Sequence, residues 1–229
     1  MKLSAVKVAS IAIFAAVQAL LSYLPYTITL GVSGEITLGL IGGSLIGIVL
    51  GPMTGGLAVL IGSTVAAFLN PAGAIFGIFS PIPAFFGAVG AGSIKIRRGY
   101  IAGTLILASL LVFYAHPIGR EVFIYPWLHI IAMIVAFSPL AYMASSALNS
   151  SEPAKQTLGI AVAAFVGVFA DHIAGSALAM WYFSIPSEIW YGVMPIYPVE
   201  RIVALILVTV ITAPVYYSLK KAGLIDRIK

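Results

Sequence analysis

Charge is what this sequence has least of. Acidic and basic side chains make up 8% of its 229 residues, against 61% hydrophobic, and mean hydropathy is +1.10. A soluble domain carries about 25% charged residues, so this chain cannot clothe its exterior with polar groups. Its solvent is largely lipid, and the composition predicts a multi-pass protein of the cell (plasma or inner) membrane. Cysteine is absent, which excludes disulfides, thiolate metal sites and a cysteine nucleophile together. Lysine is missing between Lys7 and Lys95. The glycine-rich stretch in that interval is therefore no Walker loop, because that motif needs a lysine to meet the phosphates. No nucleotide motif occurs elsewhere, and no cofactor is expected. The net charge of +5 would suit nucleic acid, but the basic residues sit in short loops beside apolar runs. Cytoplasmic loops carry such an excess, and no nucleic-acid partner is expected.

A membrane-spanning helix takes about 20 apolar residues. The clear runs are 5–24, 99–118, 127–148, 156–183 and 199–219. The stretch 36–94 is apolar throughout, broken at "GPMTGG" (51–56) and "NPAGAIFGIFSPIP" (70–83). Proline lacks the amide hydrogen and disfavours helix in the residue before it, so both places read as turns. The first run is followed by more apolar runs and by no small-residue cleavage site, so it reads as a retained helix rather than a signal peptide.

Orientation follows from the basic residues. Lys2, Lys7, Lys95, Arg97, Arg98, Lys155, Lys220, Lys221, Arg227 and Lys229 fall on one side if the chain crosses 36–51, 54–69 and 80–94 separately. Arg120 and Arg201 then lie outside with Glu35, Glu121, Glu188 and Glu200. The result is an all-α bundle in one integral membrane domain over 1–229, with eight crossings and both termini cytoplasmic. Seven crossings is the competing count and breaks the charge pattern. Runs of about 16 residues rise only about 24 Å, so the pair around "GPMTGG" reads as tilted short helices or a partly re-entrant hairpin.

Gly39, Gly43, Gly47, Gly51 and Gly55 recur at intervals of four. That spacing puts them on one helix face, where small residues let backbones approach and gain contact that lipid cannot replace. The same spacing joins Ala58, Gly62 and Ala66, and Ala84, Ala88 and Gly92. In the first helix it joins Ala5 to Ala9 and Ala12 to Ala16. Packing within one subunit explains such a face; a partner subunit is the other use.

The stretch "ITLGLIGGSLIGIVLGPMTGGLAVLIGSTVAAFLNPAGAIFGIFSPIPAFFGAVGAG", preceded by a small-residue helix and an external loop, resembles the substrate-binding S components of energy-coupling factor (ECF) transporters. The likeness lies in a short apolar helix ending in Gly51 and Pro52, a glycine-led helix after it, and the proline-containing external loop from Asn70 to Pro83. It covers about residues 5–95. The resemblance implies uptake of a vitamin-like solute bound near the outer face. It also implies a transmembrane coupling subunit and two cytoplasmic ATPases as partners, with Ala5, Ala9, Ala12 and Ala16 contacting the coupling subunit. S components usually have six helices, so eight would mean an extra pair.

Polar groups inside the apolar runs are the candidate ligand contacts, since a charge in the bilayer costs about 2.5–3.5 kcal/mol on insertion scales. Asp171 lies deep in "AVAAFVGVFADHIAGSALAMWYF", followed by His172. It would accept a hydrogen bond from a solute, hold a cation, or bond a neighbouring helix. Glu200 at a helix start complements the helix dipole, and Arg201 would pair with an acid or clamp a solute's carboxylate or phosphate. Glu35 and Asn70 in outer loops and Trp181 near the outer surface complete the candidates. Tyr125, Trp127, Trp181, Tyr182, Trp190 and Tyr191 read mainly as an aromatic belt at the headgroups. His116, His129 and His172 sit on three segments with no i, i+4 pair, so no metal site is expected. The expected function is solute capture without an intrinsic motor. A stand-alone secondary transporter is the alternative, with weak repeat evidence, and an intramembrane enzyme using Asp171 and His172 ranks last.

Overall fold

The computed structural model describes residues 4–24, 27–30 and 34–225, with backbone alone for 27–30 and 34–37. Lys2, Arg227 and Lys229 of the charge argument lie outside the described residues, as does the side chain of Glu35. Helix α1 (Ala5–Tyr23) starts on Ser4, whose side chain accepts from the Lys7 amide. A hairpin follows in place of an irregular loop: β1 (Thr27–Leu30) runs antiparallel to β2 (Gly34–Thr37), with Thr29 opposite Glu35. Then come α2 (Leu38–Leu50) and α3 (Pro52–Leu69). The turn between them rests on Gly51 at φ +85°, a conformation glycine adopts without strain, and on Pro52 at the first helical position.

Two short 3₁₀ turns, Pro71–Gly73 and Gly77–Phe79, lead into α4 (Pro81–Lys95). The second half holds α5 (Gly99–Ala115), α6 (Pro117–Glu121), α7 (Trp127–Phe137), α8 (Pro139–Leu148), α9 (Pro153–Phe183), α10 (Ser187–Val193) and α11 (Tyr197–Lys221). The class is all-α, with the hairpin as an addition.

Among the described residues, five helical segments have the length and hydropathy to cross a membrane, six if α7 and α8 count as one bent span. The apolar helices α2 and α5 are shorter. The chain is thus a multi-pass membrane protein. The run 127–148, expected as one helix, is two, meeting at 72°. Ser138 is extended ahead of Pro139 and its hydroxyl accepts from the Leu140 amide at 3.2 Å, so the proline starts a helix instead of interrupting one.

The glycine ladder is a contact surface between helices. A Cβ on Gly39 would stand 2.7 Å from Ser22 Oγ of α1, and one on Gly43 would stand 3.0 Å from the Ala84 carbonyl of α4. One on Gly47 would sit 2.1 Å from the Ala88 carbonyl. Gly55 of α3 closes back on α2, where an added Cβ would stand 2.9 Å from the Ile46 carbonyl. Each contact is with backbone or a short side chain, so the fit depends on the missing methyl. Gly62 brings α3 equally close to the Ala15 carbonyl of α1, and Gly87 and Gly167 join α4 to α9. Every residue from Gly39 to Leu50 is buried, so α2 is the core and never meets lipid. That explains how a 13-residue helix suffices there. The long α9 is the hub, packed on α2, α4, α5, α7, α8 and α11.

One side of α1 does not join this core. Ala5, Ala9, Ala12 and Ala16 all face outward, while Ile11, Ala15 and Gln18 face in.

Candidate functional site: a polar cavity at one end of the bundle

Helices α1 to α4 carry different chemistry at their two ends. At one end a cavity of about 380 Å³ is walled by Ser22, Ser63, Asn70 and Pro83, with Asp171 and His172 of α9 and Arg201 of α11. Small-molecule sites start at about 300 Å³, so the space suits a small solute. At the other end Lys7, Lys95 and Arg97 rim a wider groove of about 870 Å³ along Leu57, Leu60 and Val89. Lys95 Nζ donates to the Val49 carbonyl, and its own carbonyl accepts from Ser145 Oγ at 2.8 Å. Three of the ten basic residues expected on one side, Lys7, Lys95 and Arg97, meet at this groove.

The cavity brings together four of the seven expected contacts. Asn70 caps the turn after α3: its side-chain oxygen accepts the Gly73 amide at 3.3 Å, which leaves its two N–H donors uncommitted among the described residues. Asp171 is buried on α9, and its Cβ would stand 3.1 Å from a methyl on Gly87, so the bare glycine makes its place against α4. It has no hydrogen-bond or ion-pair partner among the described residues. His172 Nδ1 meets His129 Nε2 at 3.0 Å, and one of the two rings donates. Arg201 is buried, its Nη2 pairs with Glu200 Oε1, and its Nε has no partner among the described residues.

The other three stand apart. Glu200 holds Arg201 and does not wall the cavity. The Trp181 indole donates to the Val112 carbonyl at 2.9 Å and sits edge-on to His116, tying α9 to α5 away from the cavity. Glu35 lies in β2, which packs on α11, and its side chain is outside the described residues.

Sequence reasoning missed Gln18. Its Nε2 reaches Ser22 Oγ at 3.0 Å, the Gly39 carbonyl at 3.1 Å and Ser63 Oγ at 3.2 Å, pinning α1, α2 and α3 together through three residues that line the cavity. The signal available was an uncharged amide inside an apolar run. The aromatic belt also needs correction. Trp127, Trp181, Tyr182 and Tyr191 are exposed, but Tyr125 and Trp190 are buried core. Tyr125 stacks between Phe113 and His129, its hydroxyl pairs with Ser176 Oγ at 3.3 Å, and its carbonyl accepts from Tyr197 at 2.6 Å. Burial pushes the Tyr125 hydroxyl up to about 12, so it stays neutral. This cluster backs His129 and His172 and fixes the wall behind the cavity.

No family model matches the chain, and no solved structure matches it significantly. The similarity found is archaeal. An uncharacterized protein of Methanocaldococcus jannaschii is 31% identical over 153 residues, which is 67% of this chain and 51% of that protein. The chain thus spans about half the length of the curated relative it matches.

Proposed function

We propose that this protein is the solute-capturing membrane subunit of an importer of the energy-coupling factor kind. It takes up a small, water-soluble, vitamin-like molecule in the polar cavity and leaves ATP hydrolysis to partner subunits. The observation that carries this reading is the gathering of polar groups with bonding capacity left over, the Asn70 amide N–H groups, the Asp171 carboxyl and Nε of Arg201, around one small cavity at the end opposite the basic rim. The chain has no nucleotide motif, which fits a subunit powered from outside. The outward row of Ala5, Ala9, Ala12 and Ala16 suits close contact with a transmembrane coupling subunit.

In this reading the chain crosses eight times, α2 and α5 included, with both termini in the cytoplasm and the cavity facing out. Because cysteine is absent, single-cysteine variants report topology cleanly. A cysteine at position 72 should react with an impermeant maleimide added outside intact cells, and one at position 98 only after lysis. The function itself is tested by mass spectrometry of small molecules retained by the purified protein. A bound solute is expected, with a coupling protein and ATPases co-purifying from native membranes. Proton-driven uptake by this chain alone in liposomes would favour the stand-alone transporter instead.

A further inference from the structure

The charges at the cavity do not balance, and the imbalance specifies a ligand. Asp171, His172 and Arg201 are the titratable side chains in its wall among the described residues. Arg201 already holds a counter-ion, since Glu200 is in direct contact with it. Asp171 is 9% exposed, faces the cavity and is bonded to no described residue, so it shares the Arg201 charge only through space with the carboxylate that already holds it. A buried carboxylate is costly unless paired, and a bilayer setting raises that cost.

An anionic solute would make this worse. It would place a third negative group beside Glu200 and Asp171, opposite the one guanidinium. A neutral solute would leave Asp171 as it is. A protonated nitrogen would supply the missing charge and hold Asp171 ionised. Around it, Ile75, Phe76 and Pro83 offer apolar wall, and Asn70 offers N–H donors.

Building on the solute-capture reading, we propose that the cavity binds a small cationic solute: an ammonium or amidinium nitrogen meets Asp171, and a compact apolar or aromatic body carrying a hydrogen-bond acceptor lies toward Phe76 and Asn70. His172 is held against His129 and shapes the wall. The Arg201–Glu200 pair serves as a neutral unit that orients the start of α11.

Mass spectrometry of molecules released from the purified wild-type protein and from Asp171→Asn separates the possibilities. The expected result is a retained molecule with a basic nitrogen, and a loss on the order of tenfold or more in Asp171→Asn, as for truncating one partner of a buried charge pair. Retention of an acid or of a molecule without a basic nitrogen overturns the proposal and leaves solute capture standing, as does equal retention by Asp171→Asn. A wild-type protein that retains nothing overturns solute capture itself.

A second measurement needs no variant. Thermal unfolding of the wild-type protein in detergent is followed with benzylammonium and, separately, with benzoate, which share a ring and differ in charge. A rise in Tm with benzylammonium alone is expected. A rise with benzoate alone, with both, or with neither overturns the proposal.

Discussion

The two ends of the α1–α4 bundle are made by the same four helices and differ in almost every other respect. At the Asn70 end the cavity is small, and its polar groups come from α1, α3 and the turn after it, α9 and α11. At the Lys95 end the groove is more than twice as large, its charges are all basic, and its walls are long aliphatic side chains. Lys95 there is committed to the backbone of α2, whereas Asp171 at the other end is committed to no described residue. One end has its polar groups already satisfied by the protein, and the other holds some in reserve. That division is what separates a structural end from a binding end, and it is open to test by substitutions that act on one end only.

The largest effect is expected where both ends depend on one contact. Gly47→Leu drives a side chain into the Ala88 carbonyl of α4, and no folded protein should survive extraction and size-exclusion chromatography. The milder Gly47→Ala should cost about 1–3 kcal/mol of stability, the usual range for overpacking, read by thermal unfolding in detergent.

Next come changes confined to the cavity. Gln18→Leu removes the amide that joins α1, α2 and α3, and should destabilise by about 1 kcal/mol while weakening solute retention. Its counterpart at the other end, Arg97→Gln, should leave retention unchanged, because Arg97 lines the groove and not the cavity. Equal loss of retention in both variants would erase the distinction between the ends.

A smaller effect on the isolated protein is expected from Ala9→Trp. The site is exposed, and surface changes of this kind stay within about 0.5 kcal/mol. Co-purification of a coupling subunit should nonetheless be lost. Retained co-purification would remove α1 from the interface.

The smallest change lies behind the cavity. Tyr125 has its hydroxyl raised above the unfolded value of 10 by burial. Its contribution to stability is therefore complete below pH 10 and is lost as pH rises toward about 12. Tyr125→Phe should flatten the alkaline fall in Tm between those limits and leave the neutral range little changed.

Much of this arrangement is legible in the residues, for reasons that differ by element. Gly39, Gly43 and Gly47 are readable because a period of four has one geometric meaning on a helix, and each meets a neighbouring helix; the expected single face stops there, because Gly51 makes the turn and Gly55 belongs to α3. The turn at Gly51 and Pro52 is readable because two residues with opposite backbone demands stand together. Asp171 and Arg201 are readable because a charge in an apolar run is rare enough to stand out. The bend at Pro139 carried the same kind of signal as Pro52, but without a glycine before it the break was hidden in a long apolar run. Gln18 is uncharged and escaped a search built on charge. The pairing of His129 with His172 spans 43 residues, and no local spacing encodes it; only the packing of α7 on α9 does. Trp181 looked like a ligand contact by position and is claimed by the Val112 carbonyl.

The complete enclosure of α2 bears on how the molecule is assembled. Its most extensive neighbour, α4, lies later in the chain, as do α9 and α11, so as it leaves the ribosome this segment has only α1 already made to nest against. Too short to reach comfortably across a bilayer by itself, it has to be sheltered at the membrane until α4 arrives and stays incompletely covered until α9 and α11 do. Synthesis arrested before residue 153 should therefore leave the α2–α3 hairpin vulnerable to membrane proteases, and completion of α9 and then α11 should make it resistant.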